Sequence, residues 1–152
     1  MDKTIKQRIQ EDTTAAMRAK DKERLGVLRL IGAAIKQQEV DTRIPLDDDG
    51  LLAVLERMLK QRRDSREQFE KGGRIDLADQ EAFEISVIEA YMPAPLTTVE
   101  LDALLDEAIG ESSARSVKDM GKVMSLLKPR LRGRADMGVV SAKVKERLAK
   151  TG

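Results

Sequence analysis

The chain has no cysteine and no histidine, and aromatics make up 2% of it, with no tryptophan. Each absence removes a class of chemistry. Without cysteine there is neither a disulfide framework nor thiol catalysis. Without either residue, zinc sites of the usual kind and the Ser-His or Cys-His nucleophile pairs are unavailable. No run of 18 or more apolar residues occurs, so the sequence predicts no membrane-spanning helix. Residues Met1 to Gln10 are charged and no apolar segment follows them, which reads as the absence of a secretory leader and gives the cytoplasm as the expected location.

What is present is charge and aliphatic side chain. Of 152 residues, 36% are charged and 41% hydrophobic, with few β-branched runs, a composition of amphipathic helices. The net charge of +1 hides a division. Up to Leu96 there are 17 basic and 19 acidic residues; beyond it there are 11 basic and 8 acidic. Within the second part, Arg115 to Arg134 holds seven cations against Asp119 alone, a concentration that suits a polyanion.

Apolar spacing of three and four residues predicts an all-α fold. Ile5, Ile9 and Ala16 mark one helix; Leu25, Leu28, Ile31 and Ile35 mark a second behind an Asp21 N-cap. Asp47-Asp48-Asp49 opens a third, with Leu51, Leu55, Met58 and Phe69, ended by Gly72-Gly73. A fourth carries Ala78, Ala82, Ile85, Ile88 and Met92 and stops before Pro93 and Pro95. Met92-Pro93-Ala94-Pro95 is therefore the expected boundary between an N-terminal four-helix domain, 1–93, and a C-terminal three-helix domain, 94–152. In the latter, Thr97-Thr98-Val99-Glu100 reads as a capping box for a helix ended by Gly110, Ser116 as the cap of a sixth helix and Asp136 as that of a seventh.

Five clusters invite a chemical reading. The three consecutive aspartates could serve as magnesium ligands but fit a dipole-stabilising cap better, so no metal is expected. Ser112-Ser113 lacks a base and a strand-turn-helix setting, and Gly121-Lys122 lacks the glycine spacing of a phosphate loop, so neither nucleophile nor cofactor is assigned. Lys60, Arg62, Arg63 and Arg66 have Asp64, Glu67 and Glu70 at helical spacing, which predicts intrahelical ion pairs. In Lys128-Pro129-Arg130-Leu131-Arg132-Gly133-Arg134, by contrast, proline and glycine should break the helix while four cations crowd a short connection. That connection is the expected anion site.

Five motifs then occur in order: Lys20-Asp21-Lys22-Glu23-Arg24-Leu25, Gln61 to Ser65 (QRRDS), Tyr91 to Leu96 (YMPAPL), Lys118 to Met124 (KDMGKVM) and Gly133 to Asp136 (GRAD). With them the whole chain resembles the YqeY family, which shares its domain with the C-terminal tail of the GatB subunit of the glutamine-dependent aspartyl/glutamyl-tRNA amidotransferase. The resemblance implies a helical N-terminal part, a three-helix C-terminal part, and contact with tRNA rather than catalysis, because ammonia release and transfer belong to other domains. It points to Lys118, Lys122 and Arg134. Met137-Gly138 follows Asp136 where the family often shows glycine then lysine, one cation fewer.

The resulting expectation is a non-enzymatic chain without cofactor that presents Lys118, Lys122, Lys128, Arg130, Arg132 and Arg134 to the phosphates of tRNA or other structured RNA. Phe69, Phe83 and Tyr91 all precede the basic region, so base stacking does not contribute there. The alternative expectation is a protein-interaction adaptor that uses Met120, Met124 and Met137 as an adaptable apolar surface.

Overall fold

The computed structural model describes residues 3–151; Met1, Asp2 and Gly152, including the start of the segment read for a leader, lie outside it. Seven α-helices and one 3₁₀ turn are present among the described residues, and no strand. The chain divides into two compact units, Met1–Met92 and Pro93–Gly152, each with its own buried cluster.

The first unit holds α1 (Ile5–Arg18), α2 (Lys22–Thr42), α3 (Asp48–Lys71) and α4 (Ile75–Glu89). Its boundaries are set by local chemistry. A reciprocal capping box between Thr4 and Gln7 opens α1, and the Asp21 and Asp47 carboxylates accept from Arg24 N and Gly50 N to open α2 and α3. The tight α1–α2 junction places Lys20 at φ +58°, and Gly73 takes φ +74° after α3. The α2 stripe Val27, Leu28, Ile31 and Ile35 meets Leu51, Leu55, Met58 and Leu59 of α3 and Ile85 and Ile88 of α4 in one buried cluster. Helix α4 ends at Glu89, three residues before Met92, and the chain leaves it through turns closed by Tyr91 N to Ile88 O and Met92 N to Glu89 O. The turn seats Tyr91, 2% exposed, so that its hydroxyl donates to Asp12 at 2.5 Å while Arg8 lies 5.3 Å over its ring. Burial and the Asp12 carboxylate hold that phenol well above the usual tyrosine range.

The cations of α3 are shared differently from the sequence expectation. Arg66 pairs with Glu70 along its own helix, but Arg62 reaches Glu84 and Arg63 reaches Glu89, both on α4. Helical spacing along α3 does not disclose these two pairs, because only packing brings α4 alongside. Beside the Arg62–Glu84 pair, Glu81 has one carboxylate oxygen without a partner, and desolvation, with Glu84 adding to it, raises its carboxyl above the usual range. A folded value raised in this way favours the fold while the group is protonated, and that contribution fades as pH rises through the raised value. Glu81→Gln is therefore expected to stabilise the chain by up to about 1 kcal/mol at pH 7. It should lose the advantage in acid, a difference read from urea midpoints at pH 7 and pH 4.

The second unit holds α5 (Thr98–Ser112), the 3₁₀ turn Val117–Asp119, α6 (Met120–Leu131) and α7 (Met137–Thr151). Leu101, Leu105 and Ala108 of α5, Val123, Leu127 and Leu131 of α6, and Val140, Val144 and Leu148 of α7 form its core. The Thr97–Glu100 capping box forms as the spacing predicts, and Asp136 caps α7 by accepting from Gly138 N at 2.8 Å. Three local expectations are corrected. Gly110 lies inside α5, and Ser113, at φ +56°, supplies the left-handed terminus. Ser116 precedes the 3₁₀ turn and makes no side-chain cap. Pro129 sits inside the last turn of α6, not beyond it. A proline there forgoes one backbone bond, but Leu127 and Leu131 on either side are both fully buried, and their packing holds the turn. Gly133, at φ +75°, then closes the helix, and Leu96 N donates to Arg134 O at 3.0 Å.

Candidate nucleic-acid interface

The cations of the second unit sort into two groups according to where its carboxylates go. Asp102 accepts from Lys143 at 3.3 Å and pairs with Arg147 at 3.0 Å, and Asp106 also pairs with Arg147. Glu107 and Glu111 both face Arg130, at 3.8 and 2.7 Å, and Glu146 pairs with Lys150. Glu100 and Asp136 are capping groups. Asp119 accepts from Arg115 N at 2.9 Å. Backbone and side-chain donors hold the carboxyls of Glu100, Glu111 and Asp119 below their ordinary range, led by Thr97 N, Arg130 and Arg115 N respectively. Every carboxylate of this unit is thus engaged internally.

The six expected site residues do not share one fate. Lys118 lies in the 3₁₀ turn, Lys122 and Lys128 lie on α6, and all three are exposed. Arg132 and Arg134 follow the helix and are half-buried, with Arg134 near enough to Glu100 to lower its pKa. Arg130 is drawn the other way, onto α5, where Glu111 raises its pKa further. It acts as a bolt between α5 and α6, whereas the other five make no ion pair to another described residue.

The outward side of α6 contains Gly121, Lys122, Ser125, Lys128 and Pro129, all exposed. It carries no acid. A Cβ added at Gly121 would meet nothing within 4 Å, and Ser125 Oγ is spent on Gly121 O, so nothing projects between the two lysines. This small, acid-free surface allows a phosphate backbone close to the helix while the lysine stems reach up on either side. In the sequence Gly121 reads only as a failed phosphate loop and Ser125 has no motif; what distinguishes both is exposure on one helix face. The methionines of the alternative reading lie elsewhere: Met120, Met124 and Met137 are partly buried and pack against the unit's own core.

The different positions of Arg130 and Lys128 yield a contrast. Arg130→Ala is expected to lower the melting temperature, because its carboxylate partners lose a charge-assisted bond, with a small effect on anion affinity. Lys128→Ala should do the reverse. Thermal melts and heparin elution of both variants separate the two roles.

Among the described residues no helix is long and apolar enough to cross a membrane. Residues 6–148 match the family described as Yqey-like protein. Three fungal proteins, each called "Altered inheritance of mitochondria protein 41, mitochondrial", are similar to the chain. That of Eremothecium gossypii is 38% identical over 106 residues, 65% of this chain and 58% of that protein. That of Pyrenophora tritici-repentis is 33% identical over 148 residues, 91% of this chain and 78% of that protein. That of Kluyveromyces lactis is 34% identical over 123 residues, 76% of this chain and 66% of that protein. The matched region therefore spans less than two thirds of the Eremothecium and Kluyveromyces relatives.

Proposed function

This chain belongs to the Yqey-like protein family, and from that premise we propose that its C-terminal unit is a non-catalytic module that holds structured RNA, tRNA foremost, by its phosphates. The observation that carries the reading is the segregation of charge: all eight carboxylates of the unit are consumed internally, while Lys118, Lys122, Lys128, Arg132 and Arg134 remain for an external anion. Recognition on these terms is electrostatic and directed by shape, since the basic region contains no aromatic side chain for stacking. A protein of this kind positions RNA for chemistry carried out by another chain, and the relation to the tail of the tRNA-dependent amidotransferase belongs to the same proposal.

Cytoplasmic location is also part of the proposal. The fungal relatives are named as mitochondrial.

Retention of total tRNA by the purified chain at 50 and 200 mM salt tests the reading. With about five phosphate contacts the affinity should fall on the order of several hundred-fold between the two conditions. Absence of binding at the lower salt, or binding that salt does not weaken, would exclude it. Incubation with glutamine is expected to release no ammonia above the buffer control.

A further inference from the structure

Helix α2 has two apolar stripes, and only one of them is used. Val27, Leu28, Ile31 and Ile35 are buried in the first unit. On the opposite side Gly26, Leu30, Ala33, Gln37 and Val40 follow one another at intervals of four, three, four and three residues, the 3.5-residue period of a helix-pairing seam. This second stripe is open: Leu30 is 50% exposed and Val40 62%, and Ile44 just beyond the helix is 63% exposed. It runs for about 21 Å at the rise of an α-helix. Along one flank stand Lys22, Arg29, Lys36 and Arg43, seven residues apart, all exposed, with no ion pair to another described residue. The other flank carries Glu23 and Asp41, and Asp41 accepts from Gln37 at 2.8 Å.

We infer that this face of α2 is a docking site for an acidic amphipathic helix of a partner protein, with the partner's apolar seam on Leu30, Ala33 and Val40 and its carboxylates along the row of four cations. The inference does not depend on the RNA reading, which concerns the other unit. Charge complementarity selects the occupant. An antiparallel second copy would set the cation row against itself. A parallel copy would place Asp41 near Lys36 but bring Arg29 and Lys22 opposite Ala34 and Val27, which turn inward. A phosphate backbone would satisfy the cations yet leave Leu30 and Val40 in water or against charge.

Two capped 21-residue peptides probe the site: each has leucine at seam positions spaced three and four apart, one with glutamates on its flanks and the other with lysines. Fluorescence anisotropy with the full-length protein is expected to show binding of the acidic peptide at least about tenfold tighter than that of the basic one. Leu30→Glu with Val40→Glu should abolish binding, and Arg29→Glu with Lys36→Glu should reverse the preference between the peptides. Far-UV circular dichroism shows whether these exposed substitutions leave the helices intact, and Leu30→Ala with Val40→Ala serves as the gentler version if they do not. Equal binding of both peptides, or none at concentrations on the order of 100 μM, would overturn the inference. So would a concentration-dependent dimer that Leu30→Glu dissolves, or loss of tRNA retention in the charge-reversed protein with peptide binding unchanged.

Discussion

Replacement of Lys118, Lys122, Lys128 and Arg132 by alanine is expected to remove nearly all of the salt dependence of tRNA binding. Each cation lost from a phosphate contact lowers the slope of log affinity against log salt by about one. With Arg134 alone remaining of the five, the fall between 50 and 200 mM salt should shrink from several hundred-fold to about three- or fourfold. Affinity at the lower salt should drop correspondingly. The four replaced side chains make no ion pair to another described residue, and three are exposed, so each replacement should cost no more than about 0.5 kcal/mol of stability. Filter retention with total tRNA checks the slope. An unchanged slope would mean that the anion is held elsewhere.

Leu127→Ala carries the largest expected effect on stability. Leu127 is fully buried at the centre of the α6 stripe, between Val123 and Leu131, and faces α5 and α7 residues that are buried as deeply. Truncation there removes about 2–5 kcal/mol through lost transfer energy and the cavity left behind. A unit of this size has little more than that to lose. Hydrogen exchange followed peptide by peptide should show α5, α6 and α7 losing protection, whereas α1 to α4, whose core shares no residue with this one, keep theirs. The same substitution should reduce tRNA retention without touching a cation, because Lys122 and Lys128 are held apart only by the helix that Leu127 anchors.

Much of this architecture was legible in the sequence because it is decided locally. Asp21, Asp47, Thr97 and Asp136 cap the helices they precede, and a cap needs only the two or three residues that follow it. The errors fell where packing overrides local preference. Gly110 and Pro129 are helix breakers by propensity, yet the buried side chains around them, Ala108 on α5 and Leu127 and Leu131 on α6, keep the helices going.

The site shows the same limit in its electrostatics. Arg130 and Arg132 look alike in Lys128-Pro129-Arg130-Leu131-Arg132, and only the arrival of Glu107 and Glu111 from α5 makes one a bolt and leaves the other without an ion pair to another described residue. Arg62 and Arg63 were likewise indistinguishable from Arg66 until α4 brought Glu84 and Glu89 alongside. The core stripe of α2 was legible in the spacing of Leu28, Ile31 and Ile35, but the outer stripe was not, because local spacing does not show that Leu30 and Val40 stay exposed.

Ultraviolet crosslinking of tRNA to the intact protein, with the crosslinked peptides mapped by mass spectrometry, shows whether the outward face of α6 and the residues after it hold RNA. Crosslinks should concentrate between Arg115 and Arg134 and disappear at high salt. Crosslinks confined to α1 through α4, or none above those of a neutral control protein, would contradict it.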